Sequence, residues 1–165
     1  MCLRDEIVSN RRYFHAQPEL AFQEHKTAAR IAELLRSYGI DEVWEGVAST
    51  GVIALIRGPR PGPCVALRAD MDALPIDETA DVPYRSTTPG VMHACGHDGH
   101  VAGLLAVARV LQNRKDHLSG SVKLFFQPAE EDIGGASDMI KAGCLANGPF
   151  GPAVDHIYGL SKRVV

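Results

Sequence analysis

Three of the seven histidines in this 165-residue chain fall within Val91–His100, VMHACGHDGH, together with a cysteine and an aspartate. An even spread would leave fewer than one histidine in any ten positions, so the cluster asks for a chemical reason. Cys95 and His97 stand two residues apart in a glycine-containing turn, a spacing that lets a thiolate and an imidazole converge on one borderline transition metal ion. Asp98, next in line, is placed to orient an imidazole from behind. A second acidic group, Arg68–Asp72 (RADMD), follows an apolar run, where an α/β sheet gathers ligands at the carboxyl ends of its strands. Read alone, Asp70 and Asp72 are equally well turn and cap residues. The third group, Gln127–Asp132 (QPAEED), also follows an apolar run, Leu124–Phe126, through a proline. Adjacent side chains diverge, so one of the paired carboxylates Glu130 and Glu131 can hold a metal while its neighbour faces water on that metal. Hydrolysis needs that division of labour: an ion that acidifies water, and a free carboxylate that accepts the proton and passes it to the leaving amine.

The elements that position these groups follow from apolar spacing. Leu3, Ile7, Val8 and Phe14 form a stripe that Pro18 ends, predicting a first helix. Ala28, Ile31, Leu34, Leu35 and Tyr38 make one buried helical face, with Gly39 where a C-terminal cap belongs. Gly51–Arg57 and Cys64–Asp70 read as strands, paired as a hairpin or as neighbours, across a Gly58–Pro63 stretch whose prolines and glycines argue against regular structure. Residues 75–92 carry three prolines and Gly90 and predict a long irregular connection of the kind that often serves function. Val101, Leu104, Leu105, Ala108 and Leu111 predict a third helix. Val122–Gln127 predicts a strand, Gly134–Ala142 a helix and Ala153–Leu160 a last strand. Helices alternating with strands imply an α/β layered domain with a mixed sheet.

Composition narrows the field of functions. Hydrophobic residues at 45% and charged residues at 22% suit a folded soluble domain of this length. A net charge of −3 offers no basic excess to hold a phosphate backbone, so nucleic acid is not an expected partner. No apolar signal core opens the chain, and no stretch stays free of charge for the roughly 18 residues a membrane span needs, so the expectation is a cytoplasmic protein without membrane contact. Cys2, Cys64, Cys95 and Cys144 are unevenly spaced and are expected as reduced thiols.

RRYFHAQPELAFQEHKTA from Arg11, RADMDALPIDE from Arg68, MHACGHDGH from Met92, and FFQPAEE followed by GGA resemble a family. It is that of the metal-dependent amidohydrolases that includes hippurate hydrolase, the N-acyl-amino-acid amidohydrolases and the indole-acetyl-amino-acid hydrolases. The resemblance implies a three-layer zinc-exopeptidase-like α/β catalytic domain with a mixed sheet. It implies Cys95 as a ligand shared by two metals, His97 and Glu131 as further ligands, Glu130 as general base and Asp72 as a residue supporting a ligand from behind. It also implies divalent ions, zinc or manganese first, with cobalt or nickel as alternatives, and a small-molecule N-acyl amino acid as substrate.

The family pattern places a metal-ligating histidine after a Tyr-Gly-Leu strand end, where this sequence has Ser161. Family members are longer, with a lid or dimerisation domain and a C-terminal segment that supplies another ligand. Residues 1–165 are accordingly expected to be the N-terminal part of one catalytic domain, incomplete at its C-terminus. His156, five positions before Ser161, is a poor substitute because a strand would turn it to the other face. Two alternatives stand beside the amidohydrolase reading. One is an inactive remnant or metal-binding fragment of such an enzyme. The other is a cysteine hydrolase with Cys95 as nucleophile, which needs a base and an oxyanion hole that the sequence does not mark out.

Overall fold

A computed structural model describes residues 2–132 and 134–159. In chain order it contains α1 (Leu3–Ala16), α2 (His25–Ser37), β1 (Glu42–Val47), β2 (Gly51–Arg57), β3 (Arg60–Asp70), α3 (His97–Asn113), β4 (Ser119–Gln127), α4 (Gly135–Lys141) and β5 (His156–Gly159). The five strands form one sheet in the order β1-β2-β4-β3-β5. β1 and β2, and β2 and β4, run antiparallel, whereas β3 runs parallel to both β4 and β5. The sheet is therefore mixed, as the alternation of elements predicted.

Layering follows from which side chains each strand turns to which face. In β2 and β4, Val52, Ala54, Ile56, Leu124 and Phe126 join Phe14 of α1, Ile31 and Leu35 of α2, and Val101, Leu104 and Leu105 of α3 in the larger core. The intervening Ile53 and Phe125 point the other way, against Met139 of α4 and Cys144. Strands buried on both faces read as continuous apolar runs, which is why GVIALIR and LFF lack polar alternation. The result is three layers: α1–α3, the sheet, and α4 with the segment after it. Among the described residues no helix is long and apolar enough to cross a membrane.

Several expectations need correction. β2 and β3 are neither a hairpin nor neighbours, because β4 lies between them. The Gly58–Pro63 linker explains this by hugging the start of β4. Gly58 donates to the Gly120 carbonyl at 2.9 Å, and a Cβ on Gly120 would stand 2.0 Å from the Pro63 carbonyl oxygen. The chain thus crosses close over β4 and enters β3 on its far side, with Arg60 already paired to Ser119 despite the surrounding prolines. β1 was not predicted at all: Glu42, Glu45 and Gly46 interrupt its apolar pattern, and it survives as an edge strand irregular between Trp44 and Val47. α3 begins at His97, one turn before its apolar stripe, behind Gly96 at φ 81°.

Candidate metal centre

The parallel β3 and β4 end side by side, Asp70 opposite Gln127, so the residues that follow both strands emerge at one edge of the sheet. α3 starts at the same edge. Three chain segments far apart in sequence, Asp70–Asp72, Cys95–His100 and Gln127–Glu131, are thereby brought together, as ligand sites at strand carboxyl ends generally are.

One ligand atom each from Cys95, His97 and Glu131 lies within 4.8 Å of the other two. The geometry gives each ring nitrogen of His97 a separate task. Nδ1 stands 2.9 Å from the Asp72 carbonyl oxygen and 3.2 Å from Asp72 Oδ1; both partners only accept, so Nδ1 donates. Nε2 then faces the carboxylates, 3.7 Å from Glu131 Oε1, 3.8 Å from Glu130 Oε2 and 3.6 Å from Asp70 Oδ1. The other Asp72 oxygen accepts the backbone N–H of Glu131 at 2.9 Å. Asp72 is buried, whereas the Glu130 side chain is 41% exposed, within reach of water and solutes.

A second set, Asp70, His97 and His100, also lies within 4.8 Å. Its Asp70 is already engaged on both oxygens, by His100 Nδ1 at 2.6 Å and by Arg68 Nη1 at 2.7 Å. Arg68 in turn reaches Gln127 Oε1 at 2.8 Å, tying the ends of β3 and β4 together, and the His100 ring stacks on His97 at 5.7 Å.

Carboxylates crowd this edge, with Arg68 paired to Asp70 at its margin, and the titrating groups respond. A hydrogen bond to Glu131, then burial and the charges of Glu131, Glu130 and Asp70, push the Cys95 thiol up to about 11. Burial alone would lower His97, but the Asp72 hydrogen bond and the charges of Asp70 and Asp72 together raise it. Burial would raise Asp72, yet the His97 hydrogen bond and the backbone N–H groups of Glu131 and Glu130 lower it. The neighbouring carboxylates thus raise both the thiol and the imidazole, as expected of a donor set shaped for a cation.

Local backbone structure fixes the Glu130–Glu131 turn. Ala129 adopts φ 49°, a left-handed conformation unusual for a residue with a Cβ. Its N–H donates to Glu24 Oε1 at 2.9 Å, and Thr50 Oγ1 donates to the other Glu24 oxygen. Gly135 packs against the Pro128 carbonyl so closely that a Cβ would stand 1.8 Å from its oxygen. Glu24 was not singled out from the sequence; the only hint was its place in AFQEHKTA, and its partners lie 26 and 105 residues away.

Asp98 does orient an imidazole, but that of His15, at 2.7 Å; support of His97 falls to Asp72. His156 is exposed and pairs with Val65, five residues back along β3 from Asp70, about 16 Å from the cluster at strand rise. Ser161 lies outside the described residues. All four cysteines are free thiols.

Comparison with known proteins identifies the family. The sequence profile of Peptidase family M20/M25/M40 matches residues 66–162. Thermostable carboxypeptidase 2 of Saccharolobus solfataricus is 52% identical over 161 residues, covering 96% of this chain and 39% of the relative. The N-acyl-L-amino acid amidohydrolase of Geobacillus stearothermophilus is 46% identical over 144 residues, covering 87% of this chain and 39% of the relative. The crystal structure of the Bacillus subtilis YxeP protein, a dinuclear metal binding peptidase from the M20 family, superposes with a TM-score of 0.90 at 40% identity, covering 98% of this chain and 44% of that one. The chain thus spans about two fifths of the length of the curated relatives it matches. With more than half of its residues matched by the family profile, the chain belongs to Peptidase family M20/M25/M40.

Proposed function

We propose that residues 1–165 form the metal-holding N-terminal part of the catalytic domain of a hydrolase that cleaves the amide bond of N-acyl amino acids. The observation that carries this reading is the meeting of Cys95, His97 and Glu131 within 4.8 Å, with the accessible Glu130 carboxylate beside them. The donor set suits a divalent ion of borderline softness: one thiolate, one imidazole, one carboxylate, with zinc or manganese first and cobalt or nickel as alternatives. When bound, such an ion supplies Lewis acidity that polarises a carbonyl and acidifies water. Cys95, His97 and Glu131 would hold it, and Asp72 would keep the His97 ring aimed. Glu130 would take the proton of the attacking water and deliver it to the leaving amine. Substrates of this kind are small, and the relative named as an N-acyl-L-amino acid amidohydrolase supports the substrate class.

A cysteine hydrolase reading fares worse. A nucleophilic thiol needs a lowered pKa, whereas hydrogen bonding to Glu131 and burial hold Cys95 near 11.

The test follows release of free amino acid from N-acetyl and N-benzoyl amino acids with added zinc or manganese, alongside measurement of bound metal. Metal-dependent turnover that falls about 10²- to 10⁴-fold in Glu130→Gln, with metal content unchanged, is the expected outcome. Turnover untouched by chelation, or by Glu130→Gln, would overturn the assignment.

A further inference from the structure

A second polar cluster lies outside both candidate ligand sets among the described residues. Asp98, in the first turn of α3, is 1% exposed at its side chain, and Glu78, in the long 75–92 connection, 3%. One imidazole bridges them: His15 of α1 places Nδ1 2.7 Å from Asp98 Oδ2 and Nε2 2.9 Å from Glu78 Oε1. Each ring nitrogen thus stands at hydrogen-bonding distance from a buried carboxylate oxygen, so the imidazole links the two acidic side chains directly. Arg11, one helical turn earlier, adds its Nε to Asp98 Oδ2 at 2.7 Å. The remaining Glu78 oxygen accepts the Ser86 N–H, closing the connection on itself. The same connection is tied to the end of α1, where Thr87 donates its N–H and its hydroxyl to the Ala16 carbonyl at 2.9 and 2.7 Å.

Asp98 is held through Oδ2 alone, its Oδ1 being buried without a hydrogen-bond partner among the described residues, so the members of this buried cluster depend on one another: removing one strands the others away from water. The unit joins α1, the 75–92 connection and the start of α3. Asp98 is covalently next to His97, so any rotation of the first turn of α3 that loosens Asp98 also swings the His97 ring away from Cys95 and Glu131. We propose that His15 is a positioning residue: it clamps the 75–92 connection to the first turn of α3 and so presets the Cys95–His97 turn before any ion arrives. In its relation to metal the inference rests on the function proposed above; as a statement about the turn it stands on the metal-free chain. RRYFHAQPEL thereby gains a role that the metal ligands do not explain.

The experiment has two readouts on the unsubstituted chain, His15→Ala and Glu78→Gln. First, amide hydrogen exchange of the metal-free chain is followed by mass spectrometry. The expected result is exchange at least about tenfold faster across 75–101 in both variants, with β2 and β4 unchanged, the pattern of a local opening. Second, cobalt(II) is titrated while the thiolate-to-cobalt absorption of Cys95 and the cobalt ligand-field bands are recorded. Affinity is expected to fall about 10- to 100-fold with altered bands, as when groups supporting a ligand are removed. Should His15→Ala fail to fold, Glu78→Gln, which removes a charge without emptying space, decides both readouts. Unchanged exchange, or exchange that rises equally throughout the sheet, overturns the clamp. Lack of a cobalt–thiolate band in the unsubstituted chain would count against the metal centre instead, and the exchange data would still decide the clamp.

Discussion

Asp72 and His97 are joined twice, since Nδ1 of the ring donates both to the Asp72 carbonyl at 2.9 Å and to Oδ1 of its side chain at 3.2 Å. With its other oxygen on the Glu131 N–H, the same side chain spans β3, α3 and the turn after β4. Asp72→Asn keeps the volume but places an NH₂ group against one of two donors. A loss of about 10- to 100-fold in zinc affinity is expected, with little change in far-UV circular dichroism. Competition titration with a chromophoric chelator measures it; wild-type affinity in Asp72→Asn would mean that the backbone carbonyl alone orients the ring.

Stability of the metal-free chain should be bounded on both sides of neutrality. Burial works to raise Asp72 and Glu78, but the hydrogen bonds from His97 and His15 and from backbone N–H groups leave both below their ordinary values of 3.8 and 4.5. A carboxyl lowered on folding contributes stability that is present above its unfolded pKa and is lost as pH falls through the folded one. His97 is the opposite case. Burial would lower it, but Asp72 and Asp70 raise it above 6.5, so its contribution is full below that pH and is lost as pH rises through the raised value. Burial pushes His93 down to about 4, so the stability it contributes is full above 6.5 and is lost as pH falls towards 4; urea midpoints of the chelated protein should therefore peak near pH 6.5 and decline on either side. A midpoint that climbs steadily from pH 5 to 9 would contradict the raised His97.

Metal should invert the alkaline half of that profile. Ligation requires Cys95, held near 11, and His97, held above its usual value, to give up their protons. Apparent zinc affinity should rise with pH by up to about tenfold per unit for each proton released. Calorimetry in buffers of different ionisation enthalpy counts those protons, with between one and two per zinc expected near pH 7. Binding that releases none would remove the thiol and the imidazole from the ligand set.

What the sequence made legible, and what it did not, divides along a physical line. VMHACGHDGH and QPAEE announce chemistry because they concentrate donors within a few residues, and β2 and β4 announce themselves because burial on both faces leaves uninterrupted apolar runs. The insertion of β4 between β2 and β3 was not legible, since a doubly buried strand accepts a neighbour on either edge, and the decision rests on Gly62 and Gly120 permitting a close crossing. Partners of His15 and Glu24 were hidden for a different reason. Their bonds span 26 to 105 residues, and no local pattern marks a buried carboxylate whose donors arrive from elsewhere in the fold. Glu42 and Glu45 concealed β1 because an edge strand tolerates charge on its open side.

The Glu24–Ala129 bond offers the sharpest test of how far such remote contacts govern the candidate metal centre. Glu24 is fully buried, and among the described residues its hydrogen bonds come from one N–H of Ala129 and one hydroxyl of Thr50, neither of them charged. Ala129 at φ 49° is held in a conformation that costs about 1 kcal/mol or more for a residue with a Cβ, so the turn needs this restraint. Glu24→Ala leaves two buried donors unpaired, each costing about 1 to 3 kcal/mol, and opens a cavity; a loss of about 2 to 6 kcal/mol in urea unfolding is expected. Glu24→Gln keeps a carbonyl for the Ala129 N–H and turns an NH₂ towards a threonine oxygen that can accept as well as donate, so it should stay within about 1 kcal/mol of wild type. Since Ala129 immediately precedes Glu130 and Glu131, cobalt affinity should follow the same order, weakened in Glu24→Ala and nearly unchanged in Glu24→Gln. If both variants bind cobalt as the unsubstituted chain does while Glu24→Ala loses stability, the turn is held by Pro128 and Gly135 alone and Glu24 serves the fold without serving the site.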